Sequence, residues 1–533
     1  MKKNDKITAT CLNYTNEGFG VVKVDGFPLF VKGMLQGEEG VIVVTMVKKT
    51  YGYGRLLELT RTSPYRVKQP CAIAKQCGGC QLQHMKYEEQ LRLKKQKVQD
   101  VIQRIAKLDL TVEDVIGMEK HTHYRNKGQI PVGLHNDQVV TGFYRINSNT
   151  IIDTDTCMIQ SEQINEVLQT MRTLLKKYDN AKYFRHLLIK HAFVSGQVMV
   201  VWIVRSKDFP HRDEMMKELT TAIPAIETVV INVNTRQDNV ILGDEEHVLY
   251  GTGKIQDAIH DLKFHISSKS FYQVNPVQTE VLYGKAMEFC DLQGTETVID
   301  LYCGVGTISM FLAQKAKKVI GIEIVPAAIA DAKENAKANN IQNIEFICSD
   351  AASYAMKLNE QNMHPDVVVV DPPRKGCDEQ TIESIVQMNP SRVVYVSCDP
   401  GTLARDLKAF EAQGYTAVKI QPVDMFPFTF HIECVCLLSK LQAKLNIEVE
   451  LKMDEMDLTA AESKATYEEI KYYVLEHTGL KVSNLHIAQV KKKLGLIERI
   501  NYNIGEGKAK VPRVQNDKEK AIEDALRYFQ MIY

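Results

Sequence analysis

The stretch VIDLYCGVGTISMFLA, residues 298–313, decides the predicted fold. An apolar run is followed by Gly304 and Gly306 and then by a helical segment, and a doubly wound α/β sheet receives a nucleotide-like ligand at such a turn. Further apolar, β-branched runs separated by helical segments occur at KVIGIEI, IEFICSD, DVVVVDPP and RVVYVSC. Residues 275–445 are therefore predicted to form an α/β, Rossmann-like domain with buried parallel strands.

The residues around the glycine turn favour S-adenosylmethionine over a dinucleotide. Glu323 ends the next strand, where a carboxylate can accept hydrogen bonds from both ribose hydroxyls of an adenosine. Ser309 replaces the third glycine that a pyrophosphate requires, and S-adenosylmethionine has no pyrophosphate. Asp350 is expected either to reach the adenine amine or to cap a helix. Tyr302 is expected to pack beside the cofactor.

Two later strand ends carry candidate catalytic residues. Asp371 and Cys398, in VVVVDPPRKG and YVSCDPGTLARDL, should lie at the same sheet edge as the glycine turn. A thiolate that adds to carbon 6 of uracil makes carbon 5 nucleophilic enough to attack a sulfonium methyl group. A base must then remove the carbon 5 proton, and Glu433 in FHIECVCLLSK is the candidate. Asp371 would hold the uracil edge or the cationic end of the cofactor, whereas Cys434 and Cys436 are expected to be packing residues.

These motifs together resemble the RNA uracil-5-methyltransferase family over roughly residues 4–440. Its hallmarks are DLYCGVGT, DPPRKG, VSCDPGTLARDL and ECV. The resemblance implies a class I methyltransferase fold, S-adenosylmethionine as methyl donor and a cofactor- or base-facing role for Gln273 in SFYQVNPVQTE. It also includes YRNKGQ, residues 124–129. Phe428 is a departure, because family members commonly carry histidine there, and this affects the details of the base pocket.

A cysteine cluster upstream predicts a metal site. Cys71, Cys77 and Cys80, with Cys157 further along, make a set of four thiolates that suits tetrahedral zinc or a 4Fe–4S cluster. Spacing does not choose between the two. The family resemblance favours the iron–sulfur cluster and selects Cys157 in IIDTDTCMI. We expect a structural and RNA-positioning role, because the Cys398 mechanism requires no electron transfer.

The remaining segments suggest three attached regions. Residues 1–62 alternate apolar and polar residues between glycines, which predicts an OB-like β-barrel that resembles a TRAM module. Its basic and aromatic residues suit RNA binding, against the alternative of a solvated rim: Lys48, Lys49, Tyr51, Tyr53 and Arg55. Residues 63–274 form a mixed central domain that contains the cysteines. Residues 446–533 are a helical extension, either an RNA contact or a stabilising helical pair.

Composition permits several partners. The 66 basic and 66 acidic side chains cancel, so net charge neither supports nor excludes RNA. No apolar stretch suits a membrane span or a signal segment, and a cytoplasmic monomer is expected.

The barrel and the cysteines resemble the ribosomal branch of the family, which makes 23S ribosomal RNA the preferred substrate. Transfer RNA and a non-catalytic RNA-binding iron–sulfur protein remain alternatives. The context of the catalytic motifs, VSCDP and DPPR, argues against a DNA cytosine-5 or an amino-group methyltransferase.

Overall fold

The structure, a computed structural model, describes residues 1–440, 467–494 and 516–528. The chain divides into two compact units, Met1–Ile447 and Glu448–Tyr533. In the described ranges, no helix is long and apolar enough to cross a membrane.

The N-terminal residues form a closed barrel, as the alternation predicted. Its strands are β1 Lys6–Tyr14, β2 Gly20–Val24, β3 Phe27–Val31, β4 Glu39–Val47 and β5 Gly52–Arg61. They close in the order β1-β2-β3-β5-β4. Alternate residues point inward, so that Val22, Leu29, Ile42 and Val44 form a fully buried core. Burying each such side chain contributes about 1.5–3 kcal/mol to folding.

A long helix follows the barrel. It comprises α1, Tyr87–Val101, and a π-helical turn, Ile102–Ala106. Leu93 of α1 packs with Leu35 of the barrel region and with Phe430 from a distant part of the chain. The helix therefore connects the barrel to the sheet described below.

The central residues form a mixed seven-stranded sheet in the order β12-β11-β10-β9-β6-β7-β8. The strands are β6 Lys127–His135, β7 Gln138–Tyr144, β8 Ile151–Asp153, β9 Phe184–His191, β10 Val198–Val204, β11 Ile226–Val233 and β12 Glu245–Tyr250. The helices of this region are α2 Glu162–Lys177, the 3-10 turn Ala181–Tyr183 and α3 Arg212–Ala222. Every residue of β10 is buried, because both faces of the sheet are covered. A hairpin follows, β13 Lys254–Ile259 and β14 Leu262–Ser267.

The α/β domain contains a second seven-stranded sheet. Its strands are β15 Thr297–Leu301, β16 Lys318–Glu323, β17 Ile344–Cys348, β18 Val367–Val370, β19 Arg392–Ser397, β20 Tyr415–Val423 and β21 Glu433–Lys440. The order is β17-β16-β15-β18-β19-β21-β20, and the first five are parallel. The helices are α4 Pro276–Cys290, α5 Thr307–Ala313, α6 Pro326–Ala338, α7 Ala351–Glu360, α8 Glu379–Met388 and α9 Pro400–Ala412. The predicted α/β fold is confirmed, and β15, β16, β18 and β19 are largely buried as predicted; β17 is not, because it lies at the edge of the sheet and only Phe346 is buried in it.

The second unit contains described helices that share an apolar core. They are α10 Tyr467–Thr478, α11 Asn484–Lys493 and α12 Asn516–Tyr528. Ile470, Val474, Ile487 and Ile522 are fully buried in this core. Lys493 of α11 forms an ion pair with Glu519 of α12.

Candidate active site

The glycine turn connects β15 to α5, as predicted. Gly304 and Gly306 adopt left-handed backbone angles, with φ of 56° and 80°. A Cβ atom on Gly306 would lie 2.6 Å from the ring of Phe346, so a larger residue does not fit without displacing that ring. Because these two glycines have no side chains, the backbone of the turn is uncovered and a ligand can approach it closely.

Glu323 lies beside this turn at the end of β16. Its Oε2 accepts a hydrogen bond from the Gly304 amide at 3.2 Å, and its Oε1 accepts one from the Val325 amide at 2.9 Å. Each carboxylate oxygen retains capacity for another hydrogen bond. The position of Glu323 therefore suits the predicted ribose-binding role.

Two other predicted residues lie on this side of the sheet. Tyr302 has a φ of 70°, which is rare for a bulky residue, and it packs half-buried within the apolar core beside Thr381. Backbone strain of this kind clusters at ligand-binding turns. Asp350 is the N-cap of α7, where its Oδ1 accepts a hydrogen bond from the Ser353 amide at 3.0 Å. The capping alternative for Asp350 is thus observed.

Gln273 lies just before α4 and is 9% exposed. Its backbone carbonyl accepts a hydrogen bond from Asn126 Nδ2 at 2.9 Å, and the Asn126 amide donates to the Val274 carbonyl at 2.9 Å. These bonds join the motifs YRNKGQ and SFYQVNPVQTE, which are far apart in the sequence.

Asp371 directly follows β18, and the loop after it is held by α9. Asp406 of α9 is 1% exposed and accepts hydrogen bonds from the Cys377 amide at 2.9 Å and from the Tyr395 hydroxyl at 2.7 Å. Arg405 donates to Asp406 Oδ1 at 2.8 Å. The sequence pattern assigned no role to Arg405 or Asp406, although both lie in YVSCDPGTLARDL. A basic and an acidic residue side by side, a short distance after the candidate nucleophile, were the signal that could have identified them.

Cys398 lies between the end of β19 and the start of α9. Asp399 caps that helix, because its Oδ1 accepts hydrogen bonds from the Gly401 and Thr402 amides at 2.9 and 3.0 Å. The Ser397 hydroxyl donates to the Asp399 carbonyl at 3.1 Å. The turn is therefore fixed on both sides of Cys398, whose side chain is partly exposed at the carboxyl edge of the sheet.

Glu433 begins β21, which is antiparallel to β19. The register pairs Ser397 with Cys434, so the adjacent position brings Cys398 opposite Glu433. Glu433 is 3% exposed. Cys434 and Cys436 are fully buried, which agrees with their predicted packing role.

Burial dominates the acid–base properties of this site. The pKa of Cys398 is raised to about 12, first by burial and then by the charges of Glu433 and Asp371, while the Arg374 guanidinium lowers it. Burial also raises the pKa of Asp371 to about 7 and that of Glu433 well above its usual range. At neutral pH the Cys398 thiol is therefore protonated, and the Arg374 cation, which lowers the pKa of both Cys398 and Glu433, favours their charged forms.

The four cysteines of the predicted metal site lie near one another. Burial is the main cause that raises the pKa of Cys80, and the charges of Cys157, Cys77 and Cys71 raise it further. The Gly79 amide donates to Cys77 Sγ at 3.3 Å. In the described part of the chain, which includes all four, no three His, Cys, Asp or Glu side chains converge into a metal-binding group. The metal site and its occupant stay predictions.

Comparison with known proteins identifies the family. The protein-family model described as tRNA (uracil-5-)-methyltransferase matches residues 86–441. The chain belongs to the RNA uracil-5-methyltransferase family. This enzyme is 49% identical over 447 residues to an uncharacterised RNA methyltransferase of Halalkalibacterium halodurans, covering 82% of this chain and 98% of that protein. It is 48% identical to a relative with the same description from Oceanobacillus iheyensis, covering 82% and 97%.

A solved structure supports the methyl donor. The enzyme is similar to the tRNA (uracil-54, C5)-methyltransferase of Pyrococcus abyssi in complex with S-adenosyl-L-homocysteine. The TM-score is 0.65 with 27% identity, covering 81% of this chain and 99% of that chain. The family and the fold are those of S-adenosylmethionine-dependent RNA methyltransferases.

Changing Arg374 to Met removes the cation that lowers the pKa of Cys398. At a given pH less thiolate then forms, and alkylation of Cys398 by iodoacetamide should slow roughly three- to tenfold. Because the thiol is protonated below its pKa, the rate should rise with pH in both proteins. Mass spectrometry of the Cys398 peptide measures the rate.

The matched control is Lys375→Met, which removes the neighbouring cation in the same loop. Its alkylation rate should match that of the wild-type enzyme. Equal slowing in both variants would show that the effect of Arg374 is not specific.

Proposed function

We propose that this enzyme methylates carbon 5 of a uracil in RNA through a covalent adduct between Cys398 and carbon 6. The observation that carries the proposal is the register of β19 and β21, which puts a partly exposed thiol opposite a buried carboxyl. Methylation of carbon 5 requires this pair of groups, because the thiol activates the uracil ring and the carboxyl group removes the carbon 5 proton after methyl transfer. Bound S-adenosylmethionine supplies an electrophilic methyl group.

In the first half of the reaction, the Cys398 thiol loses its proton to solvent, and the resulting thiolate forms a bond to carbon 6 of uracil. The electron pair of the carbon 5–carbon 6 double bond moves onto the ring as an enolate. Carbon 5 then bonds to the methyl group, and the electron pair of the broken sulfur–carbon bond stays with the donor's sulfur. Arg374 favours the charged form of Cys398, since it lowers the pKa of the thiol.

In the second half, the Glu433 carboxylate takes the proton from carbon 5. The electron pair of that bond restores the double bond, and the Cys398 thiolate leaves. Burial raises the pKa of Glu433 well above its usual range, which makes its carboxylate a stronger base for this proton. Asp371 would hold the uracil edge or the cationic end of the donor, beside the proposed cofactor contacts of Gln273, Tyr302 and Glu323.

The proposed substrate is 23S ribosomal RNA. The resemblance of the N-terminal barrel and the cysteine set to the ribosomal branch of the family supports it. Transfer RNA is the second candidate, because the similar Pyrococcus abyssi enzyme is a tRNA (uracil-54, C5)-methyltransferase. A uracil in a stem must be flipped outward before Cys398 can reach carbon 6.

RNA that contains 5-fluorouracil tests the covalent mechanism, because fluorine is not removed as a proton and the methylated adduct persists. Incubation with S-adenosylmethionine should give a mass equal to enzyme, RNA and one methyl group. Cys398→Ala should abolish this species, and Cys348→Ala, which changes an exposed cysteine, should retain it.

Ribosomal and transfer RNA are compared in parallel, and adduct on transfer RNA alone would reverse the substrate proposal. An enzyme that methylates ordinary RNA and yet forms no adduct on either fluorinated RNA would contradict the covalent mechanism.

The barrel, which resembles a TRAM module, is the proposed RNA-binding domain. Three rings meet on its surface: Phe30 lies 5.4 Å from Tyr51 and 5.8 Å from Tyr53, and the tyrosine rings are 5.8 Å apart. Exposed cations follow nearby in the sequence, at Lys48, Lys49 and Arg55. Aromatic surfaces flanked by cations stack unpaired bases and hold phosphates.

Replacing Tyr53 with Ala removes one of these rings. The dissociation constant for substrate RNA should rise roughly tenfold, since stacking contributes about 1–3 kcal/mol per base. Fluorescence anisotropy with labelled RNA measures it. Tyr250→Ala, which changes an exposed tyrosine of β12, is the control, and equal affinity in both variants would remove the barrel surface from the RNA interface.

The four cysteines Cys71, Cys77, Cys80 and Cys157 are the proposed ligands of a 4Fe–4S cluster. Cys80 and Cys157, which are far apart in the sequence, pack against the same buried cluster, and this supports the proposal; zinc is the alternative. Protein purified without oxygen should contain about four iron and four sulfide ions per chain, and Cys157→Ser should lose most of both. Cys290→Ser is the control. Zinc without sulfide would contradict the cluster.

A further inference from the structure

The segment that leads into Glu433 is held by one face of α1. This segment, residues 424–432, is called the base loop here, because its last residue precedes the proposed base. Four polar residues of α1 contact it, and they lie at positions i, i+3, i+7 and i+10, which share one side of a helix. We call them the polar stripe: Tyr87, Gln90, Lys94 and Lys97.

A buried ion pair anchors the start of the base loop. The side chains of Lys94 and Asp424 are both fully buried, and Lys94 Nζ lies 2.6 Å from Asp424 Oδ1. Lys94 Nζ also donates to the Phe426 carbonyl at 3.0 Å. The Tyr87 hydroxyl donates to Asp424 Oδ2 at 2.9 Å, so both carboxylate oxygens are bound by α1. Burial of a charged group costs free energy, and such hydrogen-bonded partners of opposite charge offset that cost.

The rest of the base loop is held in the same way. The Phe428 amide donates to Gln90 Oε1 at 2.9 Å, and its carbonyl accepts from the Gln81 and Leu82 amides, each at 2.9 Å. Phe428 has a φ of 67°, a left-handed conformation that is costly for a bulky side chain and needs support from its surroundings. Lys97 Nζ donates to the Phe430 carbonyl at 3.0 Å.

We infer that the polar stripe positions Glu433 for removal of the carbon 5 proton. Lys94 and Tyr87 are thus positioning residues that act through the base loop and need not touch RNA or cofactor. An apolar stripe would suffice to pack α1 against the loop, whereas directed hydrogen bonds set the path of its backbone. The inference rests on the proposed function, in which Glu433 is the base.

The test uses ordinary, unfluorinated substrate RNA and two variants of the whole enzyme. Tyr87→Phe removes a single hydroxyl, and Lys94→Met combined with Asp424→Asn removes both charges together, so that neither is left unpaired. Glu433→Gln is the reference for loss of the base, and its turnover should fall roughly a hundredfold or more. Rapid quenching and mass spectrometry measure the fraction of enzyme held as methylated adduct.

Misplacing Glu433 slows release after methyl transfer. Both stripe variants should therefore accumulate methylated adduct as Glu433→Gln does. The turnover of the double variant should fall by about tenfold, a loss of interaction free energy equal to that of one pKa unit. Their affinity for S-adenosylmethionine should stay within about twofold of wild type, a change much smaller than the tenfold fall expected in turnover.

The control for loss of an ion pair is Arg66→Met combined with Glu38→Gln in the barrel region, where the Glu38 side chain is fully buried and Arg66 is partly exposed. It should not accumulate adduct, whatever its melting temperature. Accumulation in Glu433→Gln but not in the stripe variants would overturn this inference alone. No accumulation in any variant, with turnover lost in Glu433→Gln, would overturn the base assignment and the inference together.

Discussion

The antiparallel strand β21, inserted between β19 and β20, is the constraint on which the proposed chemistry depends. Parallel strands bring only their carboxyl ends to the cofactor edge, so Cys398 arrives there after β19. Because β21 runs in the opposite direction, its first residue, Glu433, reaches the same edge. A parallel β21 would carry Glu433 to the far edge, and a slip of one residue would turn its side chain to the other face.

Burial couples this geometry to ligand binding. Burial raises the pKa values of both Glu433 and Cys398, because it disfavours two negative charges close together. The Arg374 guanidinium is the cation that lowers the pKa of the Cys398 thiol. The loop that carries Arg374 is fixed by Asp406, and the base loop by Lys94. The positions of the proposed reacting groups therefore depend on buried polar contacts that lie outside the site itself.

Much of the α/β domain followed from local patterns in the sequence. Gly306 and Glu323 were placed correctly, because a glycine turn and the end of the next strand have fixed positions in such sheets. The position of Glu433 opposite Cys398 could not be predicted in this way. It depends on which strands are neighbours in the sheet, and the periodicity of apolar residues along the sequence carries no information about that order. The buried position of Lys94 did not follow from the sequence either, because the partner that compensates its charge, Asp424, is distant in the sequence. Asp350 could not be resolved from sequence, since a cap and a ligand contact use the same residue type.

Release of tritium from RNA labelled at carbon 5 of uracil tests the central claim most directly. If Cys398 and Glu433 act as proposed, each methyl group transferred from S-adenosylmethionine releases one tritium from the modified uracil to solvent. Glu433→Gln should transfer methyl groups in a single turnover without releasing tritium. Methylation by the wild-type enzyme with tritium fully retained would contradict the account, because the methyl group would then lie on another atom.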